Sequence, residues 1–130
     1  MVYVVWSNDG FRGGRMTAYR KYNARRVSLD GFTFDSSMEA QRYAELKILE
    51  KAGEIRDLKI HPEYVLEPSF KKNGKTYRKI VYEADFSYTD ANTEEEIVED
   101  VKGYKTDVYR LKRRLFEARF PNLTITEVTK

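Results

Sequence analysis

Residues 98–106 read VEDVKGYKT and place two acids and a lysine inside a short apolar segment. Because the side chains of a strand alternate between its two faces, Asp100 and Lys102 share one face and Glu99 points to the other. Charged side chains on a partly buried strand cost free energy unless they are paired or used by a ligand. The segment therefore predicts a strand that ends at Gly103 and carries a functional site.

The size and composition of the chain favour a single domain over residues 1–130. The chain has 130 residues, 41% of them hydrophobic, and no run approaches the length of a transmembrane helix. The apolar start, MVYVVW, lacks the basic lead and the small-residue cleavage site of a secretory signal. The absence of cysteine excludes disulfides and thiolate zinc sites. We therefore expect a cytoplasmic protein that has no membrane partner.

Charge is distributed unevenly, although the net charge is only +3. Basic residues without acids fill residues 11–26, and residues 105–119 are again mainly basic. Between them, residues 83–100 hold acids and no base. Basic zones beside an acidic zone suit a polyanion partner together with a cation site, while solvated surface is the alternative. We interpret residues 1–26 as a basic N-terminal arm and residues 27–130 as the core.

The start of the core carries signals for a short hairpin and a helix. The Asp30–Gly31 pair lies between two alternating segments, which predicts a tight hairpin turn. Ser36 as the N-cap and Glu39 three residues later form a capping-box pattern, and Gly53 supplies a stop. These signals predict a helix over residues 37–52, with Glu39 on its inward side.

The middle of the core predicts three strands. The first covers residues 60–66, where Pro62 keeps part of the strand at an edge or a bulge. The second covers residues 77–88, whose alternation predicts one continuous strand. After an acidic loop, residues 96–103 predict the third strand, which forms a hairpin with the second. One face of the second strand would carry Ile80, Tyr82, Ala84, Phe86 and Tyr88.

The C-terminal part predicts a helix and a last strand. Thr106 is a suitable N-cap, Pro121 stops the helix, and residues 123–128 form the strand. A strand, a helix and a strand with short links predict a parallel crossover. The complete order predicts an α/β fold with a mixed central sheet flanked by helices.

The core stripe of the predicted C-terminal helix would be Val108, Leu111, Leu115 and Ala118.

Three segments bring acids toward one place. Asp85 and Asp100 lie on adjacent strands, and Glu39 lies on the first helix. Carboxylates on adjacent strands bind a hard divalent cation, to which the backbone carbonyl of Val101 would add a ligand. Such a cation polarises a phosphate and lowers the pKa of a bound water. Lys102 would orient that water or stabilise charge on the phosphate in the transition state.

Asp85, followed by Asp100-Val101-Lys102, with Glu39 upstream on a helix, resembles the signature of the PD-(D/E)XK nuclease superfamily. The segments GFTFDSSMEAQRYAELKILEKAGEI, YEADFSY and VEDVKGYKTDVYRLKRRLFEARFP further resemble a phage and prophage family of Holliday-junction-resolvase-like endonucleases, once catalogued as a domain of unknown function. The likeness runs from about residue 20 to the C-terminus. Two features depart from the common pattern: Glu83–Ala84 precede Asp85 where a proline is usual, and Asp100 stands where many members have glutamate.

The resemblance implies a restriction-endonuclease-like αβββαβ core, preceded by the basic arm and the short hairpin. It also implies an endodeoxyribonuclease that depends on Mg²⁺ or Mn²⁺ and resolves Holliday junctions or other branched DNA in phage recombination or replication. Two cuts at one junction suit a homodimer. By this resemblance Asp85, Asp100, Glu39 and the Val101 carbonyl hold the metal, and Lys102 completes the catalytic set.

The basic arm and the second helix would then bind branched or duplex DNA. Lysines and arginines neutralise phosphates and supply affinity without sequence choice. We assign eleven residues to this interface: Arg12, Arg15, Arg20, Lys21, Arg25, Arg26, Lys105, Tyr109, Arg110, Lys112 and Arg113.

Simpler interpretations stay open for each site residue. Glu39 could only close the capping box, Asp85 could face solvent, and Asp100 with Lys102 could form a surface ion pair of little energetic value. We interpret His61, the only histidine, as structural. The functional alternatives are a nicking, flap or fork nuclease of the same fold, and a non-catalytic DNA-binding phage protein.

Overall fold

The computed structural model describes residues 25–102 and 104–129. The basic arm, apart from Arg25 and Arg26, lies outside these residues. The described part of the chain forms two helices and ten strands. No helix in it is both long enough and apolar enough to cross a membrane. The helices are α1 (Ser37–Lys51) and α2 (Asp107–Arg119); the strands are β1 (Val27–Leu29), β2 (Phe32–Phe34), β3 (Ile55–Ile60), β4 (Glu63–Glu67), β5 (Phe70–Lys72), β6 (Lys75–Tyr77), β7 (Ile80–Glu83), β8 (Phe86–Asp90), β9 (Glu96–Val101) and β10 (Ile125–Val128).

A four-stranded mixed sheet in the order β10-β9-β8-β3 forms the centre of the fold. β9 runs antiparallel to β8 and parallel to β10, and α2 connects the two parallel strands. Val98 packs with the core cluster on the α2 side, whereas its neighbour Ile97 packs with the cluster on the α1 side. The two helices therefore cover opposite faces of the sheet, which confirms the predicted mixed α/β architecture.

Helix α1 forms where its capping signals predict it. The Ser36 side chain accepts a hydrogen bond from the Glu39 backbone N–H at 3.2 Å. The Glu39 carboxylate in turn accepts from the backbone N–H of Asp35 at 3.1 Å. These bonds satisfy free donors of the first turn. The helix ends at Lys51, within one residue of the predicted boundary, and Gly53 follows with a φ of 80°.

Strands β3 to β8 form one long, bent antiparallel hairpin. β3 pairs with β8, β4 with β7, and β5 with β6, around a turn at Asn73–Gly74 in which both residues have positive φ. The predicted strand over residues 60–66 is wrong in its bounds. β3 covers Ile55–Ile60, and His61 and Pro62 separate it from β4, which begins at Glu63. His61 has a φ of 55°, a left-handed conformation that interrupts a strand.

The continuous strand predicted over residues 77–88 is also wrong, because β7 ends at Glu83 and β8 begins at Phe86. Tyr82 and Ala84 pack in the cluster on the α2 side, whereas Phe86 and Tyr88 pack in the cluster on the α1 side. A shift of one residue in a strand moves its side chains to the opposite face. The link at residues 84–85 makes this shift, so Asp85 lies where the chain changes faces.

Helix α2 turns a different face to the sheet from the predicted one. Tyr109 and Phe116 are buried, and Phe116 contacts the rings of Tyr64 and Tyr82 at centroid distances of 5.0 and 5.4 Å. Aromatic side chains bury more apolar area than valine or leucine, so their burial sets the rotation of the helix. The residues of the predicted core stripe are all exposed: Val108, Leu111, Leu115 and Ala118.

A buried ion pair links α1 to the central sheet. Glu99 in β9 is 1% exposed and accepts from Arg42 Nε at 2.8 Å and from Arg42 Nη2 at 2.6 Å. The Tyr88 hydroxyl also donates to this carboxylate. Two charge-assisted bonds in a fork geometry and one hydroxyl offset the cost of burying the charge. Glu99 therefore faces α1 and has a structural role.

Replacing Arg42 by methionine should leave the Glu99 charge buried without a partner. We expect Arg42→Met to lower the free energy of unfolding by about 3–5 kcal/mol, the usual cost of breaking a buried pair on one side. Adding Glu99→Gln removes the uncompensated negative charge and should recover more than half of the lost free energy of unfolding. Urea unfolding of the single and double variants measures both effects. A single variant as stable as the double variant would contradict a structural role for the pair.

Candidate metal centre

The candidate centre lies where the long hairpin meets β9. The Asp85 backbone N–H donates to the Glu99 carbonyl at 3.1 Å, which fixes the residue against β9. The Val101 backbone N–H donates to the Asp85 carboxylate at 2.7 Å. The negative charge of Asp100 contributes to raising the pKa of Asp85, so these two carboxyl groups lie close enough to interact. The structure therefore brings together the two acids that the sequence assigned to one site.

The carboxyl of Asp85 is held in an unfavourable electrostatic environment. Burial, followed by the negative charges of Asp100 and Glu39, raises the pKa of Asp85 well above its usual range. The bond from Val101 acts in the opposite direction and is outweighed. Within residues 25–102 and 104–129, Asp85 forms no salt bridge. The residue keeps part of its surface accessible, which leaves a route for an ion.

Asp100 has two partners that compensate its burial. Lys102 Nζ lies 3.2 Å from one carboxylate oxygen, and the Tyr82 hydroxyl donates to the other. Burial and the charge of Asp100 raise the pKa of Tyr82, so this hydroxyl keeps its proton. The Lys102 ammonium also sits 3.9 Å from the centre of the Tyr109 ring, a cation–π distance. Asp100 and Lys102 therefore share one face of β9, as the sequence predicts.

The two oxygens of the Glu39 carboxylate make two different contacts. One carboxylate oxygen caps the start of α1, and the other lies 2.8 Å from His61 Nε2. The hydrogen bond to Glu39 raises the pKa of His61. The ligand atoms of Glu39, His61 and Asp85 all lie within 4.8 Å of one another. Glu39 thus caps the helix and faces the site at once.

His61 also lies at the carboxylate cluster, although the sequence did not place it among the candidate ligands. Its interpretation as a structural residue stays a prediction, and the side chain lies within hydrogen-bonding distance of Glu39. The left-handed backbone of His61 turns it out of β3, and its N–H donates to the Asp85 carbonyl at 2.9 Å. A strained backbone that persists at a cluster of charges is typical of functional sites. The available signal was a single histidine followed by proline between two strand patterns.

Glu39, His61 and Asp85 form the group whose ligand atoms lie close enough together to hold one cation, and Asp100 is not in this group. Glu39 and Asp85 offer carboxylate oxygens, which Mg²⁺ and Mn²⁺ prefer. The imidazole of His61 would favour Mn²⁺ over Mg²⁺ if it joined the ligands, since nitrogen donors suit transition metals. The structure adds the Val101 N–H as a hydrogen-bond donor to Asp85. The Val101 carbonyl as a ligand stays a prediction.

The basic residues assigned to DNA divide into three groups. Arg12, Arg15, Arg20 and Lys21 lie outside the described residues, and Arg25 and Arg26 are exposed at the start of the described chain. Near α2, Lys105 Nζ and Arg113 Nη1 lie 2.9 and 2.6 Å from the carboxylate of Glu127. Arg110 is exposed, and Lys112 is partly exposed.

Tyr109 does not fit the surface contact that the sequence assigned to it. The residue is 2% exposed, and its hydroxyl donates to Glu127 at 2.8 Å. Its ring lies beneath the ammonium of Lys102. Tyr109 is too deep to stack on a base, and its observed contacts hold Lys102 beside Asp100.

Replacing Asp85 by asparagine should stabilise the metal-free protein, because it removes an uncompensated acid and keeps an acceptor for the Val101 N–H. We expect Asp85→Asn to raise the free energy of unfolding at neutral pH by on the order of 1–2 kcal/mol, the scale of typical stabilising substitutions. Because the folded-state pKa of Asp85 is raised, wild-type stability falls as the pH rises from about 4 through that pKa. The gain in the variant should therefore grow over this window and then level off.

Thermal unfolding in a chelating buffer between pH 4 and pH 8 measures this gain. Asp57→Asn, which changes an exposed aspartate, is the matched control and should leave the pH profile unchanged. An Asp85→Asn variant that is less stable than wild type across the whole range would show that the carboxylate is a structural group.

Comparison with known proteins gives a family and no named activity. Neither the curated proteins nor the solved structures contain a significant match to the chain. Residues 19–130 match the family model described as "Protein of unknown function (DUF1064)". This match covers well over half of the chain, which therefore belongs to the DUF1064 family.

Proposed function

We propose that this chain is a divalent-metal-dependent endodeoxyribonuclease of the PD-(D/E)XK type. Its substrates would be Holliday junctions or other branched DNA of phage recombination and replication, and its reaction the hydrolysis of a phosphodiester bond. The observation that carries this proposal is the Asp85 carboxyl, which lies within 4.8 Å of ligand atoms of Glu39 and His61, is buried beside the charges of Asp100 and Glu39, and forms no salt bridge in the described chain. A fold retains such an arrangement at a cost to its stability, which a bound cation would offset.

The contrast with Glu99 supports a ligand role for Asp85. Glu99 precedes Asp100 in the chain, and two hydrogen bonds from the Arg42 guanidinium neutralise its charge. Asp85 lies against the same strand, where its carboxylate accepts from the Val101 N–H and forms no salt bridge in the described chain. This difference favours a ligand site over a purely structural cluster.

In the proposed site, Asp85, Asp100 and Glu39 would hold Mg²⁺ or Mn²⁺, with His61 orienting Glu39 through its hydrogen bond. The ion, when bound, polarises the phosphate and lowers the pKa of a bound water. Lys102 lies 3.2 Å from Asp100, so its ammonium is placed to stabilise negative charge on the phosphate or to orient the attacking water. The Tyr109 ring restricts Lys102 to this position.

The order of elements supports the proposed superfamily. β3 to β5 and β6 to β8 act as two long strands, so that α1, these two strands, β9, α2 and β10 give the order αβββαβ. This is the order implied by the resemblance to PD-(D/E)XK nucleases. The site residues also fall on the elements that this resemblance requires: Glu39 on the helix, Asp85 at the second strand, and Asp100 with Lys102 at the third.

The DNA would approach over the start of α2. Lys102 and Tyr109 join this helix to the site, and the basic residues of α2 extend the positive surface outward. Contacts of this kind bind phosphates and recognise the shape of DNA more than its sequence. Paired cuts at one junction would require two copies of the site, so we propose a homodimer.

Asp100→Asn should reduce cleavage of a labelled four-way junction by more than about 100-fold. Mutating residues that only hydrogen-bond to metal ligands already lowers metal affinity or activity by about 10- to 100-fold, and Asp100 is proposed as a ligand itself. The reaction contains Mg²⁺, and a chelator should abolish wild-type cleavage. Junction binding should be retained, because the lost carboxylate contacts the ion and not the phosphate backbone. Asp57→Asn serves as the control with full activity.

Parallel reactions on nicked, flapped and linear duplexes identify the preferred substrate. Symmetric paired cuts in the junction support a resolvase, and preference for a flap or fork supports a related nuclease. Full activity of Asp100→Asn would contradict the assigned site. Tight junction binding by wild type without cleavage in Mg²⁺ or Mn²⁺ would instead identify a non-catalytic DNA-binding protein.

A further inference from the structure

The far end of the long hairpin contributes no residue to either core cluster. We call residues 68–80 the hairpin tip; it contains β5, the Asn73–Gly74 turn and β6. Every residue of the tip is exposed to solvent. β5 and β6 form a separate two-stranded sheet with each other. The surface of the tip therefore serves little purpose in packing the described core.

The tip is strongly basic. Residues 68–80 contain five lysines or arginines and no acid. None of these five forms a salt bridge with a residue of the described chain. A projecting element with several unpaired positive charges suits a polyanion. The five residues are Lys71, Lys72, Lys75, Arg78 and Lys79.

Two aromatic rings form an exposed platform on the tip. Phe70 and Tyr77 are opposite each other in the pair of strands, with ring centroids 4.7 Å apart and planes inclined by 8°. They are 42% and 38% exposed. Lys75 Nζ lies 5.0 Å from the Tyr77 ring centre. Aromatic rings interleaved with basic residues are the usual means of binding single-stranded nucleic acid, because every base offers a face for stacking.

The tip and the candidate metal centre belong to one continuous element. The hairpin leaves the central sheet at His61 on one strand and at Asp85 on the other. Tyr77 is eight residues from Asp85, so an extended strand places the platform at most about 27 Å from the site. A nucleic acid that reaches both would bridge them with roughly eight nucleotides at about 3.4 Å each.

We propose that the hairpin tip is a second nucleic-acid-binding element that binds unpaired bases beside the site of cleavage. Phe70 and Tyr77 stack on the bases, and the lysines of the tip neutralise the adjacent phosphates. The inference rests on the proposed function for the presence of DNA at the metal centre. It adds a substrate preference, because an aromatic platform favours DNA that is unpaired or distorted near the scissile bond over a continuous duplex.

Binding of fluorescein-labelled 12-nucleotide DNA, single-stranded or duplex, tests the proposal by fluorescence anisotropy in a chelating buffer, where no cleavage occurs. Phe70→Ser with Tyr77→Ser should weaken single-strand binding by about tenfold or more and duplex binding by less than about threefold, since stacking contributes mainly to unpaired bases. Lys71→Ser with Lys72→Ser should weaken both and lower the salt dependence of binding. The control variant, Lys47→Ser with Lys51→Ser, removes the same charge from α1. It should change single-strand binding and duplex binding by less than about twofold.

Thermal unfolding should show that the tip variants stay folded, because the tip lies outside both core clusters. Unchanged single-strand binding by the aromatic variant would overturn the proposal. The proposal would also be overturned if the tip variants no longer formed a dimer in sedimentation but still bound DNA, since the tip would then bind a second copy of this chain. These results are separable from the nuclease proposal: tip-dependent binding by a protein that never cleaves DNA contradicts only the nuclease, and cleavage with an inert tip contradicts only this inference.

Discussion

The crowding of carboxyl groups around Asp85 is the constraint on which the account of the candidate metal centre depends. The Val101 N–H donates to the Asp85 carboxylate and the His61 N–H donates to the Asp85 carbonyl, while the cap of α1 holds Glu39 near Asp85. These acids are costly to bury, and Asp85 forms no salt bridge in the described chain. The same sheet neutralises Glu99 with a forked arginine, so the fold is able to compensate a charge where structure alone requires it.

Local patterns in the sequence predicted the parts of the fold that depend on neighbouring residues. The Ser36 cap placed the start of α1, and the Asp30–Gly31 pair placed the first hairpin. Strict alternation in β9 put Asp100 and Lys102 on one face, where the structure finds them 3.2 Å apart. Capping, tight turns and strand alternation are short-range effects, so a single sequence contains the information that sets them.

The errors arise where tertiary packing decides between local alternatives. The face change at residues 84–85 is invisible to a periodicity of two, because the polar and apolar pattern of residues 77–88 continues through it. In α2 the aliphatic residues made the more regular stripe, yet burial of Tyr109 and Phe116 sets the rotation of the helix. The position of His61 depends on a left-handed backbone that no residue pattern specifies. Two of these three errors concern the surroundings of the candidate metal centre, and strained or irregular backbone is common at functional sites.

Isothermal titration calorimetry of the metal-free protein with Mn²⁺ measures whether the carboxylate cluster binds a cation. We expect saturable binding that Asp85→Asn abolishes, that weakens as the pH falls and protons compete for Asp85, and that Asp57→Asn leaves unchanged. Arg42→Met with Glu99→Gln should also bind Mn²⁺ normally, because that pair lies on the other face of β9. Equal Mn²⁺ binding by wild type and Asp85→Asn, or no binding by the wild-type protein at neutral pH, would contradict a metal centre at Asp85.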